Sequence, residues 1–241
     1  MSIYRRTAVL LLLPFLGALA ACSGPKKLAV EGVFPVPLMQ KAPVSLGIYL
    51  DETLVQYLHK ESIDKKGTWE VAIGPSQQAL FDNLAKGVFE AHTFVSGKTI
   101  DGAWDGVLKP SIEEVQFSLP DQTRSNYYEV WIRYKFMLFD RQGSLIGEWN
   151  LPAYGKASNK NFGSSTAGLQ AASMAACRDA MAFFSINFSR EPVVRKWLAA
   201  GKPLAPPTQS GTQSDAAQPA GAQPAQPGAT NGSATNEGNS A

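Results

Sequence analysis

The chain has 241 residues, 44% of them hydrophobic, enough for one sizeable core or for two small domains. Its 22 Lys and Arg stand against 20 Asp and Glu, and a net charge of +2 is too balanced for a protein that holds nucleic acid by neutralising phosphates. Two cysteines and two histidines exclude a disulfide scaffold and argue against a dedicated metal site. No pattern in the chain calls for a cofactor.

Residues 1–22 read MSIYRRTAVLLLLPFLGALAAC. Arg5 and Arg6 form a short positive region, and the apolar run from Ala8 to Leu19 follows. Such a run is too short to settle across roughly 30 Å of hydrocarbon, and it fits the apolar region of a secretory signal peptide. Thr7, Ala8 and Val9 do not continue a twin-arginine motif, so the arginines are a plain positive region. Leu19-Ala20-Ala21-Cys22 resembles the lipobox of bacterial lipoproteins at all four positions. The resemblance implies cleavage before Cys22, lipid on its thiol and acylation of the new amino terminus, an anchor that is effectively permanent. An ordinary secretory signal with a chance Cys at the cleavage site is the alternative. Ser23 follows the Cys and no Asp is near, which in the enterobacterial pattern implies the periplasmic face of the outer membrane.

The remainder divides by composition. Gly24, Pro25, Pro35, Pro37 and Pro43 make residues 22–41 an expected extended tether, although Leu28, Val30, Val33 and Phe34 could pack on the globule. Periodic signal runs over residues 42–201. The tail, residues 202–241, has no Leu, Ile, Val, Met, Phe, Tyr or Trp beyond Pro206. Nothing there offsets about 1–2 kcal/mol per residue of backbone ordering, so the tail is expected to stay disordered. It is either a spacer toward peptidoglycan or a dispensable low-complexity segment.

Within the globule, Val44–Leu50 reads as a buried strand, and Asp51 caps a helical stretch through Leu54, Val55 and Leu58. Trp69–Ile73 is a second strand. Ser76 opens a helix with Leu80, Phe81, Leu84, Val88 and Phe89 on one face, and His92–Val95 is a short strand. Ile112–Leu119 alternates as a strand. In the next strand Tyr128, Val130, Ile132, Tyr134, Phe136 and Leu138 share one face, opposite Glu129, Arg133 and Lys135. Asp140-Arg141-Gln142-Gly143 turns this strand into Leu145–Trp149, a long antiparallel hairpin. A helix over 166–187 presents Leu169, Ser173, Ala176, Ala180, Phe183 and Phe184, and a short helix follows Pro192. The expected fold is α+β, a two-layer sandwich with helices on one face of a mainly antiparallel sheet.

Catalytic chemistry finds little support. His59 is placed on a surface helix and His92 at a helix end, and neither has HExxH-type spacing. Cys177 has no sequence-near His and is expected to be a buried small hydrophobe. Glu113 and Glu114 should point to opposite faces of a strand, and Asp101 and Asp105 lie in a Gly-rich loop, so neither pair suits a glycosidase. Gly163-Ser164-Ser165 precedes a helix, where N-capping accounts for it. The chain is therefore expected not to be an enzyme. The outer face of the hairpin is more informative: Trp131, Met137 and Phe139 interrupt its polar side, and Trp149 sits on the paired strand. Either the sheet is covered on both sides, or these four residues form an exposed patch that docks a partner protein or lipid.

The order of elements, with Tyr127–Tyr134 and Phe139–Gly143 in the hairpin, is similar to the auxiliary lipoproteins of lipid-trafficking ABC systems and, more loosely, to lipoproteins that assist lipopolysaccharide assembly. That resemblance implies an outer-membrane accessory or adaptor subunit, held by lipid on Cys22 and partnered by an envelope protein. A lipid- or glycan-binding lipoprotein is the alternative, and it predicts an apolar cavity between sheet and helices. An envelope hydrolase is a third reading, which needs His59 or His92 to meet a carboxylate in a cleft.

Overall fold

The computed structural model describes residues 24–201; the expected signal segment with Cys22 (residues 1–23) and residues 202–241 lie outside the described residues. In chain order the strands and helices are β1 (Lys26–Ala29), β2 (Ala42–Ile48), α1 (Glu52–Val55), β3 (Leu58–Ile63), β4 (Gly67–Ala72), α2 (Gln77–Val88), β5 (Phe89–Phe94), β6 (Gly106–Ser118), α3 (Pro120–Thr123), β7 (Tyr127–Phe139), β8 (Leu145–Ser158), α4 (Ser165–Asn187) and α5 (Pro192–Ala200). They form a five-stranded sheet in the order β5-β2-β6-β7-β8 and a three-stranded sheet in the order β1-β4-β3. The α+β class is as expected, but there are two sheets, and both mix directions. β2 runs parallel to β5 and β6, and β1 runs parallel to β4, while β6, β7 and β8 are antiparallel. The nearly unbroken apolar run of β2 suits a strand with parallel neighbours on both sides.

Several local expectations change. Residues 26–34 are not a tether: β1 pairs with β4, and Leu28, Val30 and Phe34 are buried. The helix after Asp51 stops at Val55, because Leu58–Ile63 is a strand that turns through Lys65 and Gly67, both at positive φ, into β4. Asp51 does cap α1, accepting from Leu54 N at 3.0 Å. Ser76 instead donates to Ile73 O, and α2 begins one residue later. Phe89 and His92 belong to β5, not to a helix. β6 starts six residues earlier than expected and contains Pro110. That is permitted because β2 pairs only with Gly106–Leu108, leaving the edge beyond it without need of a donor.

The core lies between the five-stranded sheet and the helices α2 and α4. All six alternating residues from Tyr128 to Leu138 are buried. Phe136 stands at their centre, with its ring centroid 4.8 Å from Phe184 of α4, 5.5 Å from Trp149 of β8 and 6.1 Å from Phe81 of α2. Small residues on α4 let that helix settle onto β8, where a methyl group at Gly155 would stand 2.2 Å from both Ala172 O and Ala176 N. Phe183 was expected on this buried face; it points outward and is exposed, because Phe184 takes the inward position. The gap among Leu80, Phe81, Leu84, Tyr134, Phe136 and Ala180 has no room for a water molecule, so the apolar cavity that the ligand-binding alternative predicts between sheet and helices is not found there.

Candidate functional site

The opposite, outer face of β6, β7 and β8 divides into three zones. At the hairpin turn, Phe139 is buried instead of exposed, because the loop after β5 folds over it and Lys98 Nζ lies 5.1 Å from its ring centroid. Met137, beside it, is half-buried and opposes Lys109 and Glu148.

The middle zone is ionic. Arg133 pairs with Glu113 at 3.2 Å and with Glu114 at 2.6 Å, while Lys135 pairs with Glu148 at 2.8 Å. The hydrogen bond to Glu148 holds the Lys135 ammonium above its usual pKa. Glu113 and Glu114 therefore do not point to opposite faces. A bulge in β6 between Ile112 and Glu114 inserts Glu113 as an extra residue, which brings both carboxylates to one cation.

The third zone, toward the start of β7, is aromatic. Trp131 is 40% exposed and Tyr154 37% exposed, with ring centroids 5.2 Å apart. Tyr154 OH donates to Glu129 at 2.6 Å, and this bond, with a smaller contribution from burial, pushes the phenol up to about 12. Tyr127 is also exposed, under Lys156 at 5.1 Å. A shallow groove of about 300 Å³ opens beside Trp131, lined by Glu114, Gln116, Arg133 and Pro152. Its mixture of a flat aromatic surface with carboxylate, amide and guanidinium groups suits recognition of a partly polar surface.

Of the four expected patch residues, only Trp131 is presented. Trp149 lies on the inner face, stacked on Phe136. A second bulge explains this: Leu138 pairs with Gly147 but Phe139 pairs with Leu145, so Ile146 is extra. Without that residue Trp149 would oppose Lys135 on the outer face; with it, Trp149 opposes Phe136. Tyr154 was missed because β8 continues nine residues beyond Trp149. The available signal was the alternation of Leu151, Ala153 and Gly155 against Pro152, Tyr154 and Lys156.

Both histidines meet a carboxylate. His59 lies on β3, not on a helix, with Nε2 3.1 Å from Glu61 Oε2; His92 Nε2 is 3.0 Å from Asp82 Oδ1. Lys86 and then His92 hold the Asp82 carboxyl below the usual range. Among the described residues neither ring hydrogen-bonds a serine or cysteine that could serve as nucleophile. Cys177 is fully buried as expected, and burial pushes its thiol up to about 11. Asp105 ties its loop to β2 by accepting from Ser45 N at 2.7 Å, while Asp101 stays exposed in its loop. Ser164 caps α4 by accepting from Ala167 N. Among the described residues no cluster of His, Cys, Asp and Glu could hold a metal ion, and no helix is long and apolar enough to cross a membrane.

No family model matches the chain, and no curated protein matches it. Among solved structures it is similar to a Xanthomonas campestris protein of family model DUF330, at 12% identity over 68% of this chain and 98% of that one, with a TM-score of 0.44. It is similar to a Caulobacter crescentus protein provisionally named a lipoprotein, at 13% identity over 66% and 93%, TM-score 0.39. It is also similar to a minor lipoprotein of Acinetobacter baumannii, at 16% identity over 63% and 94%, TM-score 0.35. At these identities and scores no residue's role passes from them to this chain.

Proposed function

We propose that this chain is a bacterial envelope lipoprotein, anchored through Cys22 at the periplasmic face of the outer membrane, that serves as a non-enzymatic accessory subunit of a transport or assembly system. The anchor rests on the lipobox resemblance of Leu19-Ala20-Ala21-Cys22. The observation that carries the adaptor role is the exposed Trp131–Tyr154 pair beside a groove that mixes apolar with charged and amide groups. Large aromatic side chains left half-exposed on a rigid sheet are typical of sites where a few residues supply most of the binding energy. The partner is an envelope protein that lays its own apolar or planar groups against Trp131 and hydrogen-bonds the groove.

A crosslinking pull-down from detergent-solubilised envelopes, run with the native protein and with Cys22→Ala, tests this reading. The native form is expected to return a reproducible partner. The Cys22→Ala form is expected to recover less of the same partner, because it is no longer concentrated on the membrane. No reproducible partner from either form would sink the adaptor role.

A further inference from the structure

A second exposed patch lies on the other side of the molecule. After β1 the chain crosses the outer surface of the helical layer: Phe34 O accepts from Asn83 of α2 at 2.9 Å, and Val33 O accepts from Arg178 of α4 at 3.0 Å. Further along, Pro37 sits against Gly87 of α2. This strap buries Phe34 but leaves Val33 79% exposed and Leu38 fully exposed, while Ile186 of α4 beside it is 59% exposed. Val36 and Met39 on the strap extend the same apolar surface. Between strap and helix runs a groove of about 310 Å³, walled by Pro35, Pro37, Leu38, Met39, Met181 and Ile186, with Arg178 also lining it. An apolar surface of this extent marks an interaction site and not an ordinary exposed face.

We infer that this strap-and-helix surface rests on the lipid bilayer that holds the anchor. The inference builds on the proposed acylation of Cys22. Only three residues lie between Cys22 and the start of β1 at Lys26, a leash of four residue steps and at most about 14 Å, so the globule cannot leave the membrane surface. Val33 is eleven residues from Cys22, at most about 37 Å along the chain, so anchor and patch can reach one flat surface together. The patch has the makeup of an interfacial contact: aliphatic side chains, prolines and methionines for the acyl boundary, with the exposed Arg178 guanidinium lining the groove within reach of anionic headgroups. The contact also orients the molecule. Trp131 and Phe136 lie on opposite faces of β7, and Phe136 faces the helices, so a bilayer under the helical side points the Trp131–Tyr154 corner away from the membrane.

The test uses the full mature protein with a nitrobenzoxadiazole fluorophore on Leu38→Cys or, as control, on Tyr154→Cys; Cys177 is buried and does not label. Each is reconstituted into phosphatidylethanolamine–phosphatidylglycerol vesicles with and without brominated acyl chains. Bromine is expected to quench the position-38 label about twofold or more and to leave the position-154 label unchanged. A position-38 label that bromine does not reach overturns the inference, whether water or a second protein surface covers it. Mass spectrometry of the amino-terminal peptide reads acylation separately. If Cys22 proves unacylated, the anchoring reading fails by itself, and quenching is then read in a Cys22→Ser background, so that only the introduced cysteine labels, with the chain held by an amino-terminal histidine tag on nickel-chelating lipid.

Discussion

Phe136→Ala is expected to cost about 3–5 kcal/mol of folding stability, a large share of the roughly 5–15 kcal/mol available to a domain of this kind. The ring is fully buried and meets Phe81, Tyr134, Trp149 and Phe184, so its removal opens a cavity that three separate elements would have to move to close. Trp131→Ala, five residues earlier on the same strand, removes a ring of larger area but is expected to cost no more than about 1.5 kcal/mol, since that ring is 40% exposed and packs against Tyr154 at the surface and not within the core. Urea denaturation of the two variants against the native protein measures both values. Equal costs would mean that the outer face is as structural as the inner one.

Gly155→Ala should be nearly as damaging, at about 1–3 kcal/mol or more. The added methyl would press on Ala172 O and Ala176 N, the carbonyl and amide of one turn of α4, and backbone atoms have no alternative rotamer to adopt. Helix α4 must lift from β8 along its length, which loosens Phe184 over Phe136 as well. Thermal unfolding followed by near-ultraviolet circular dichroism checks this, with a lowered midpoint and a weakened aromatic signal as the expected result. An unchanged midpoint would mean that the helix is not seated on the strand at this point.

The parts of the fold legible in the sequence were those where one residue's position settles the next. The face from Tyr128 to Leu138 obeys a period of two without interruption, and α4 runs from its Ser164 cap almost as expected. What could not be read was set by partners distant in sequence. β1 is a strand only because β4 lies beside it. In β3 it is Leu58 that is exposed, while His59 packs edge-on against Phe117 of β6, so the hydropathy of that strand runs against its burial. The two bulges, at Glu113 and Ile146, had the largest consequences, because one added residue reverses the facing of everything beyond it. They moved Trp149 to the inner face, where it packs against the core, and gathered Glu113 and Glu114 onto Arg133. Phe139 failed for a different reason: its facing is outward, but a loop covers it. Of the expected patch, Trp131 alone is exposed as the sequence suggests, and its exposed neighbour Tyr154 comes into view only once β8 is followed to its end.

The adaptor role proposed for this protein requires the Trp131–Tyr154 corner to be the surface that recognises a partner. The most direct measurement places a photoactivatable benzoyl-phenylalanine at position 131 or, as control, at Leu145, which is exposed at the other end of the same hairpin. Irradiation of intact cells is expected to yield a crosslinked product of one discrete mass from position 131 and none from position 145. Products from position 145 alone, or from neither position, would contradict it.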